Sequence, residues 1–346
     1  MEGMGDRRSM RAIIFLARRI GTLVLLLLVL SVLTFSLLYV TSGDPARTLA
    51  GARKVSANQL AAVRAEYHLD QPLWRQYAYW LEDVLQGNLG VSIRTRLPVS
   101  EMIGQRAWIT LTLALMALVI ALLVGIPLGV LAARHRGRWQ DGIITAVAVA
   151  GLGAPSFAVG LLLLYVLSVK LEWFPIYGLG SGSFVDAIWH LLLPALTLSI
   201  GLFAVVIKIS RASLIRQIDS DYTLFALSRG VPRHTVVLAQ LRNAALPIVT
   251  SSGLLIASLV SGTVVVEATF SVGGLGTLLR ESVTFKDVPV VQAITLIMAT
   301  VICVATAVVD SLAVLIDPRL RTYRHRRSGG GLQRDTYDAV KDGETV

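Results

Sequence analysis

Glu267 and Asp310 lie in or at the edges of long uncharged stretches of a 346-residue chain. A carboxylate carried into hydrocarbon must find a partner, reach water or take up a proton. Glu267 offers either capture of a ligand ammonium or a hydrogen-bonded structural acid, and both readings stand. Asp310 sits nearer the opposite membrane face and is expected to pair with an arginine there. No catalytic constellation accompanies these acids. His68, His135, His190, His234 and His325 fall in separate segments without ligand spacing. Of these, His190 reads as an interfacial histidine at the start of a span. A phosphate-binding loop needs Gly-Lys before Ser or Thr, and no Gly-Lys pair occurs. Cys303 is the only cysteine, so neither a disulfide framework nor a multi-cysteine metal site is open to this chain. Neither a Ser/His pair nor two aspartates share a depth, which argues against a membrane-embedded protease. A non-catalytic chain is expected.

The elements that must hold these residues are six stretches free of Asp, Glu, Lys and Arg: 20–43, 107–133, 142–169, 187–207, 243–266 and 288–309. Roughly 20 helical residues cross a bilayer core about 30 Å thick. Lipid cannot satisfy free backbone groups, and barrel strands would alternate in polarity, so the stretches must be helices. With 54% hydrophobic and only 16% charged residues, the chain departs from the roughly 25% charge of soluble domains. That composition excludes a soluble enzyme, a disordered chain and a nucleic-acid binder. The fold class expected is an all-α membrane protein with six transmembrane helices.

Orientation follows from the arginines. Arg7, Arg8, Arg11, Arg18 and Arg19 precede the first stretch. Its apolar core is too long for a signal peptide and no small-residue cleavage site follows, so it reads as an uncleaved anchor. Arg134, Arg136 and Arg138 crowd one short loop, whereas 170–186 holds only Lys170. Short loops decide orientation best, which puts both termini in the cytoplasm. The net charge of +10 then belongs mostly to the cytoplasmic face and faces anionic lipid, not nucleic acid. The organisation expected is a cytoplasmic 1–19, a first span at 20–43, an extracytoplasmic helical segment at 44–106, and spans at 107–133, 142–169 and 187–207. A cytoplasmic loop at 208–246, a span at 247–267, an outer loop at 268–287, a span at 288–316 and a cytoplasmic tail at 317–346 complete it.

Between the spans, Ser56 with Gln59 forms a capping box that opens a helix through about His68. Gln71-Pro72 starts a second helix, with Trp74, Tyr77, Trp80 and Leu81 on one face and Gly87 as its stop. Tryptophan and tyrosine at these spacings suit an interfacial helix; a docking surface for an external partner is the alternative. Helix breakers interrupt several spans: Gly125-Ile126-Pro127-Leu128-Gly129, Gly151-Leu152-Gly153-Ala154-Pro155, and Pro194. Small residues permit close helix approach and proline frees a carbonyl. Such breaks line a path in transporters or serve packing alone, and Pro155 is the foremost path candidate. The loop 208–246 is longer than a plain connector requires. Its apolar Leu224-Phe225-Ala226-Leu227 is followed by Gly230 and Pro232, which force a turn, and Val236, Val237 and Leu241 then resume. This is helix, sharp turn, helix, a docking element for something soluble.

Asp221-Tyr222, Ala226, Gly230, Arg242-Asn243-Ala244 and Leu246-Pro247 together resemble the cytoplasmic loop of permease subunits of binding-protein-dependent ABC importers. The likeness is to the first permease of the dipeptide/oligopeptide/nickel group. Leu224 stands where that loop often carries glutamate. Gly43-Asp44-Pro45, Leu69-Asp70-Gln71-Pro72, Val265-Val266-Glu267, Gly274-Leu275-Gly276 and Asp317-Pro318-Arg319 extend the resemblance over about residues 11–321. It implies a type I ABC importer permease-like bundle in a prokaryotic plasma membrane. Asp221, Tyr222, Ala226, Gly230, Pro232 and Arg242 would couple to ATPases, and Pro155 and Glu267 would border the path. The implied partners are a second, similar permease, two ATP-binding subunits that carry the ATP and Mg, and an extracytoplasmic binding protein. The chain itself would hold no cofactor. The cargo implied is a di- or oligopeptide, with nickel or glutathione as the alternative. An ion-coupled secondary transporter is the rival class, and two marginal acids argue against it.

Overall fold

The computed structural model describes residues 2–40, 44–50, 56–180 and 182–316. The 317–346 tail and the side chain of Asp310 lie outside the described residues. The order is α1 (Glu2–Val40), α2 (Pro45–Ala50), α3 (Ala57–Glu66), α4 (Leu73–Leu85), α5 (Val99–Arg134) and α6 (Trp139–Gly153). Then come α7 (Ser156–Leu163), extended by a π-helical stretch Leu164–Lys170, and α8 (Phe184–Ile218), α9 (Asp221–Ser228), α10 (Arg233–Thr269), α11 (Leu275–Thr284) and α12 (Val288–Ile316). The chain is a multi-pass α-helical membrane protein.

Among the described residues, four helical stretches are long and apolar enough to cross a membrane: Ile20–Tyr39, Val99–Arg134, Phe184–Ile218 and Val288–Val309. The α6–α7 pair makes a fifth if counted as one, but it bends by 107°. This corrects the expectation of six regular spans. The uncharged stretch 142–169 is not a rod. Pro155 lacks an N–H and its ring disfavours helical geometry in Ala154, so the chain turns at that junction. In α10, Leu255–Thr269 is a further apolar stretch among the described residues. One continuous helix runs from the α9–α10 turn into this stretch.

The core is centred where α5 crosses α8. A Cβ added at Gly125 would lie 2.8 Å from Val206 Cβ, and one at Gly129 would lie 2.6 Å from Ser210 Cβ and 2.8 Å from the Ile207 carbonyl. The two glycines therefore set the spacing of the helices, and Leu113, Leu191, Val206 and Leu259 are buried in the core that α5, α8 and α10 share.

In the outer segment the capping box forms. Gln59 N–H donates to Ser56 Oγ (3.3 Å) and Ser56 N–H donates to Gln59 Oε1 (3.0 Å). The helix stops at Glu66, and His68 turns the chain with φ +54°. Arg64 meets Asp44 at 2.7 Å, and this guanidinium with the Ala46 N–H holds the Asp44 carboxyl below the usual carboxylate range. Tyr77 and Trp80 do not simply face the interface: their ring centroids lie 5.6 and 5.7 Å from that of Phe35 on α1. Tyr77 Oη and Ser31 Oγ share a hydrogen bond of 2.7 Å. Trp74 alone of that set is two-thirds exposed.

Candidate functional site

The corner joining α8, α9 and α10 is built by local hydrogen bonds. Ser220 precedes α9, and its Oγ donates to the Gln217 carbonyl at 2.5 Å. Thr223, buried, donates its Oγ1 proton to the same carbonyl (2.7 Å) and accepts from Gln240 Nε2 (3.2 Å). Three helices are thus pinned at one hydroxyl. Helix α9 closes in a Schellman motif: Gly230 N–H donates to Leu227 O (3.0 Å) and Val231 N–H to Ala226 O (3.1 Å). Gly230 takes φ +76°, a conformation that costs a residue with a Cβ energy. Pro232 follows at φ −56° and starts α10, accepting from the N–H groups of Thr235 and Val236.

The far face of α9 is apolar and uncovered. Leu224 is 76% and Phe225 58% exposed, with Tyr222 and Leu227 beside them. Ala226 is half-buried among them and Asp221 is exposed at the first turn. Arg229 lies over the Phe225 ring at 4.3 Å. The structure therefore brings Asp221, Tyr222, Ala226, Gly230 and Pro232 into one corner. Arg242, exposed, stands ten residues beyond Pro232 along α10, about 15 Å away.

Two ion pairs that the sequence reading missed tie this corner to the α5–α6 turn. Arg211 donates to Asp141 through Nε (2.6 Å) and Nη2 (2.7 Å), and Gly137 N–H adds a bond of 3.1 Å to the same carboxylate. Arg136 meets Asp219 at 2.7 Å in an exposed pair. Asp141 borders the uncharged stretch 142–169, so it is a further acid at the edge of a span besides Glu267 and Asp310. Its position next to a stretch of that kind was the signal.

Glu267 is wholly buried. Thr110 Oγ1 donates to its Oε1 (2.6 Å), Thr277 N–H donates to its Oε2 (3.0 Å), and Thr110 Oγ1 in turn accepts from Leu275 N–H (2.8 Å). The carboxylate caps the first turn of α11 and fastens it to α5. A Cβ on Gly276 would come within 2.9 Å of Oε2, so the backbone of α11 packs closely against the carboxylate. These contacts are those of a hydrogen-bonded structural acid. Asp287, also buried, does the same for the outer turn: it accepts from Ser92 Oγ (2.5 Å), Ile93 N–H (3.0 Å) and Arg94 N–H (3.3 Å). Pro155 is exposed at the α6–α7 bend. His190 bonds locally, its Nδ1 lying 2.8 Å from the Asp186 carbonyl. Among the described residues no three His, Cys, Asp or Glu side chains converge to hold a metal ion.

A family model described as binding-protein-dependent transport system inner membrane component matches residues 125–322. The model for the N-terminal part of such membrane components matches 12–114. The chain is also similar to the glutathione transport system permease protein GsiC of Escherichia coli, Shigella dysenteriae and Salmonella choleraesuis. Each is 38% identical over 308 residues, covering 89% of this chain and 98% of the relative.

Proposed function

The chain belongs to the family of binding-protein-dependent transport system inner membrane components, and we propose that it forms half of the path of an ATP-driven glutathione importer. It is a permease subunit of an ABC importer of the peptide, nickel and glutathione group and is not an enzyme. The relatives' printed function favours glutathione over a general di- or oligopeptide cargo. In this reading the bent α6–α7 pair and α10 complete six crossings of a prokaryotic plasma membrane, with both termini in the cytoplasm. A second, similar permease closes the path, and an extracytoplasmic binding protein delivers the cargo.

The observation that carries the permease role is the uncovered apolar face of α9 on a rigid corner. Two ATPases, which bring the ATP and Mg, would cover it. Because Thr223 pins α9 to α8 and α10, a push on this helix moves two long helices as one body, the kind of rigid shift that alternating access needs. Reconstitution with the neighbouring permease, ATPases and binding protein tests the whole reading. ATP-dependent uptake of labelled glutathione should exceed that of dialanine, trialanine and nickel. Equal or better uptake of any of these would move the cargo assignment, and uptake without the ATPases would end the ABC reading.

A further inference from the structure

Helix α6 lies antiparallel against α8, and its contacts run in order along both. Asp141 meets Arg211, Ala148 is buried with Ala204 and Ile207, and Gly151 comes to the Ile200 carbonyl, where a Cβ would lie 3.4 Å away. Small side chains dominate this seam, and apolar contact has no preferred direction. Such a seam resists separation but opposes sliding only weakly. Among the described residues, the only hydrogen bonds between α6 and α8 are the two that Arg211 donates to Asp141. These are directional, because a planar guanidinium meets a carboxylate fork to fork. The carboxylate is also held from its own side, accepting from Gly137 N–H (3.1 Å) and Thr145 Oγ1 (3.4 Å). It cannot turn to follow a sliding arginine without giving these up.

At its other end α6 runs into the 107° bend at Pro155. Beyond the bend, α7 rests on both long helices of the α9 corner. A Cβ at Gly160 would lie 3.2 Å from Thr197 Cγ2 on α8 and 3.3 Å from Thr269 Cγ2 on α10. The bend therefore stands between a polar lock on α8 and a close-packed seat on α8 and α10. We propose that Arg211 and Asp141 are positioning residues for transport: they keep α6 in register with α8 while the ATPases move the α9 corner, so that the stroke reaches the Pro155 bend. This rests on the function proposed above. With the lock gone, α8 slides under α6, the bend stays behind, and ATP is hydrolysed without import.

The whole importer in proteoliposomes, with its ATPases and loaded binding protein, gives two readouts. One is the ATP hydrolysed per labelled glutathione imported. The other is the distance between spin labels on Val147→Cys of α6 and Ile218→Cys of α8, both exposed positions, with and without trapped ATP in a Cys303→Ser background. Arg211→Lys keeps the charge and loses the fork. Asp141→Leu with Arg211→Met replaces the pair by apolar bulk, an exchange that makes good a merely structural ion pair; it is read alone if Arg211→Lys fails to assemble. Both variants are expected to raise the ATP used per glutathione by about fivefold or more. Their label distance should change by about 3–5 Å on ATP trapping, most of a helical turn, whereas the wild type holds it. If the wild type imports glutathione and the variants share its ratio, or if its own label distance changes by as much, the proposal is overturned. A wild type without ATP-driven uptake overturns the importer reading, and the proposal falls with it.

Discussion

Arg211 grips Asp141 with two parallel hydrogen bonds of 2.6 and 2.7 Å, joining the first turn of α6 to the C-terminal part of α8. The carboxylate side chain is 8% exposed and the guanidinium 30%, so the pair is sheltered on one side only. A planar fork matched to a carboxylate is not replaced by lysine.

Removing either partner should therefore destabilise the purified subunit. Asp141→Asn and Arg211→Met are each expected to cost roughly 2 kcal/mol, below the full penalty of a buried pair because Arg211 is partly wet. The double variant should cost less than the sum, with a coupling of about 1 kcal/mol or more. Thermal melts of the four proteins in detergent measure this. Simple additivity would show that the two groups act independently.

Gly230 separates backbone from side-chain effects. A Cβ there meets no heavy atom within 4 Å, so the cost of substitution lies in the positive φ alone. Asn, which tolerates that region, should support import, whereas Val should not. Ala226→Glu should fail for a different reason, by putting a charge in the midst of the exposed apolar face. In both failing variants the permease is expected to insert normally and lose its ATPases on purification. Normal import by Gly230→Val and Ala226→Glu, with ATPases bound, would remove α9 from the coupling role.

Glu267 should behave as a structural residue. Glu267→Ala leaves the Thr110 hydroxyl and the Thr277 N–H unpaired in a buried site, at about 1–3 kcal/mol each. Glu267→Gln keeps one acceptor and should cost less. Neither should alter the preference for free-amine over N-acetylated cargo. A shifted preference with an unchanged melting temperature would restore the carboxylate to the path.

Topology can be read by cysteine labelling in a Cys303→Ser background. Ser92 is unsuitable, because it is fully buried against Asp287. Leu85, 80% exposed at the end of α4, and His234, exposed at the start of α10, are better. An impermeant maleimide on intact cells should mark Leu85→Cys and not His234→Cys. The reverse pattern would invert the orientation.

What the sequence made legible was mostly local. The Ser56–Gln59 capping box joins residues three positions apart, and the turn at Gly230 and Pro232 is set by bonds between residues at most five positions apart. The close approach at Gly125 and Gly129 was legible for the same reason, since four-residue spacing puts both on one helix face. Partners chosen by packing were hidden. Glu267 and Thr110 are 157 positions apart, Asp141 and Arg211 are 70 apart, and no local pattern selects either pairing. The bend in the third stretch was hidden because absence of charge says how apolar a stretch is and nothing about its direction. Pro155 bends an uncharged stretch without changing its composition.

The bond between Ser92 and Asp287 crosses 195 positions, and that sets a clock on biosynthesis. At 5–20 residues per second, roughly 10–40 s pass between the synthesis of the two residues. Throughout that interval the N–H groups of Ile93 and Arg94 await the carboxylate that will accept them. Only when the last helix is threaded into the bilayer does its leading aspartate reach the turn. A chain that stalls after α10 leaves this turn unclasped, and the clasp closes only once Asp287 has been made.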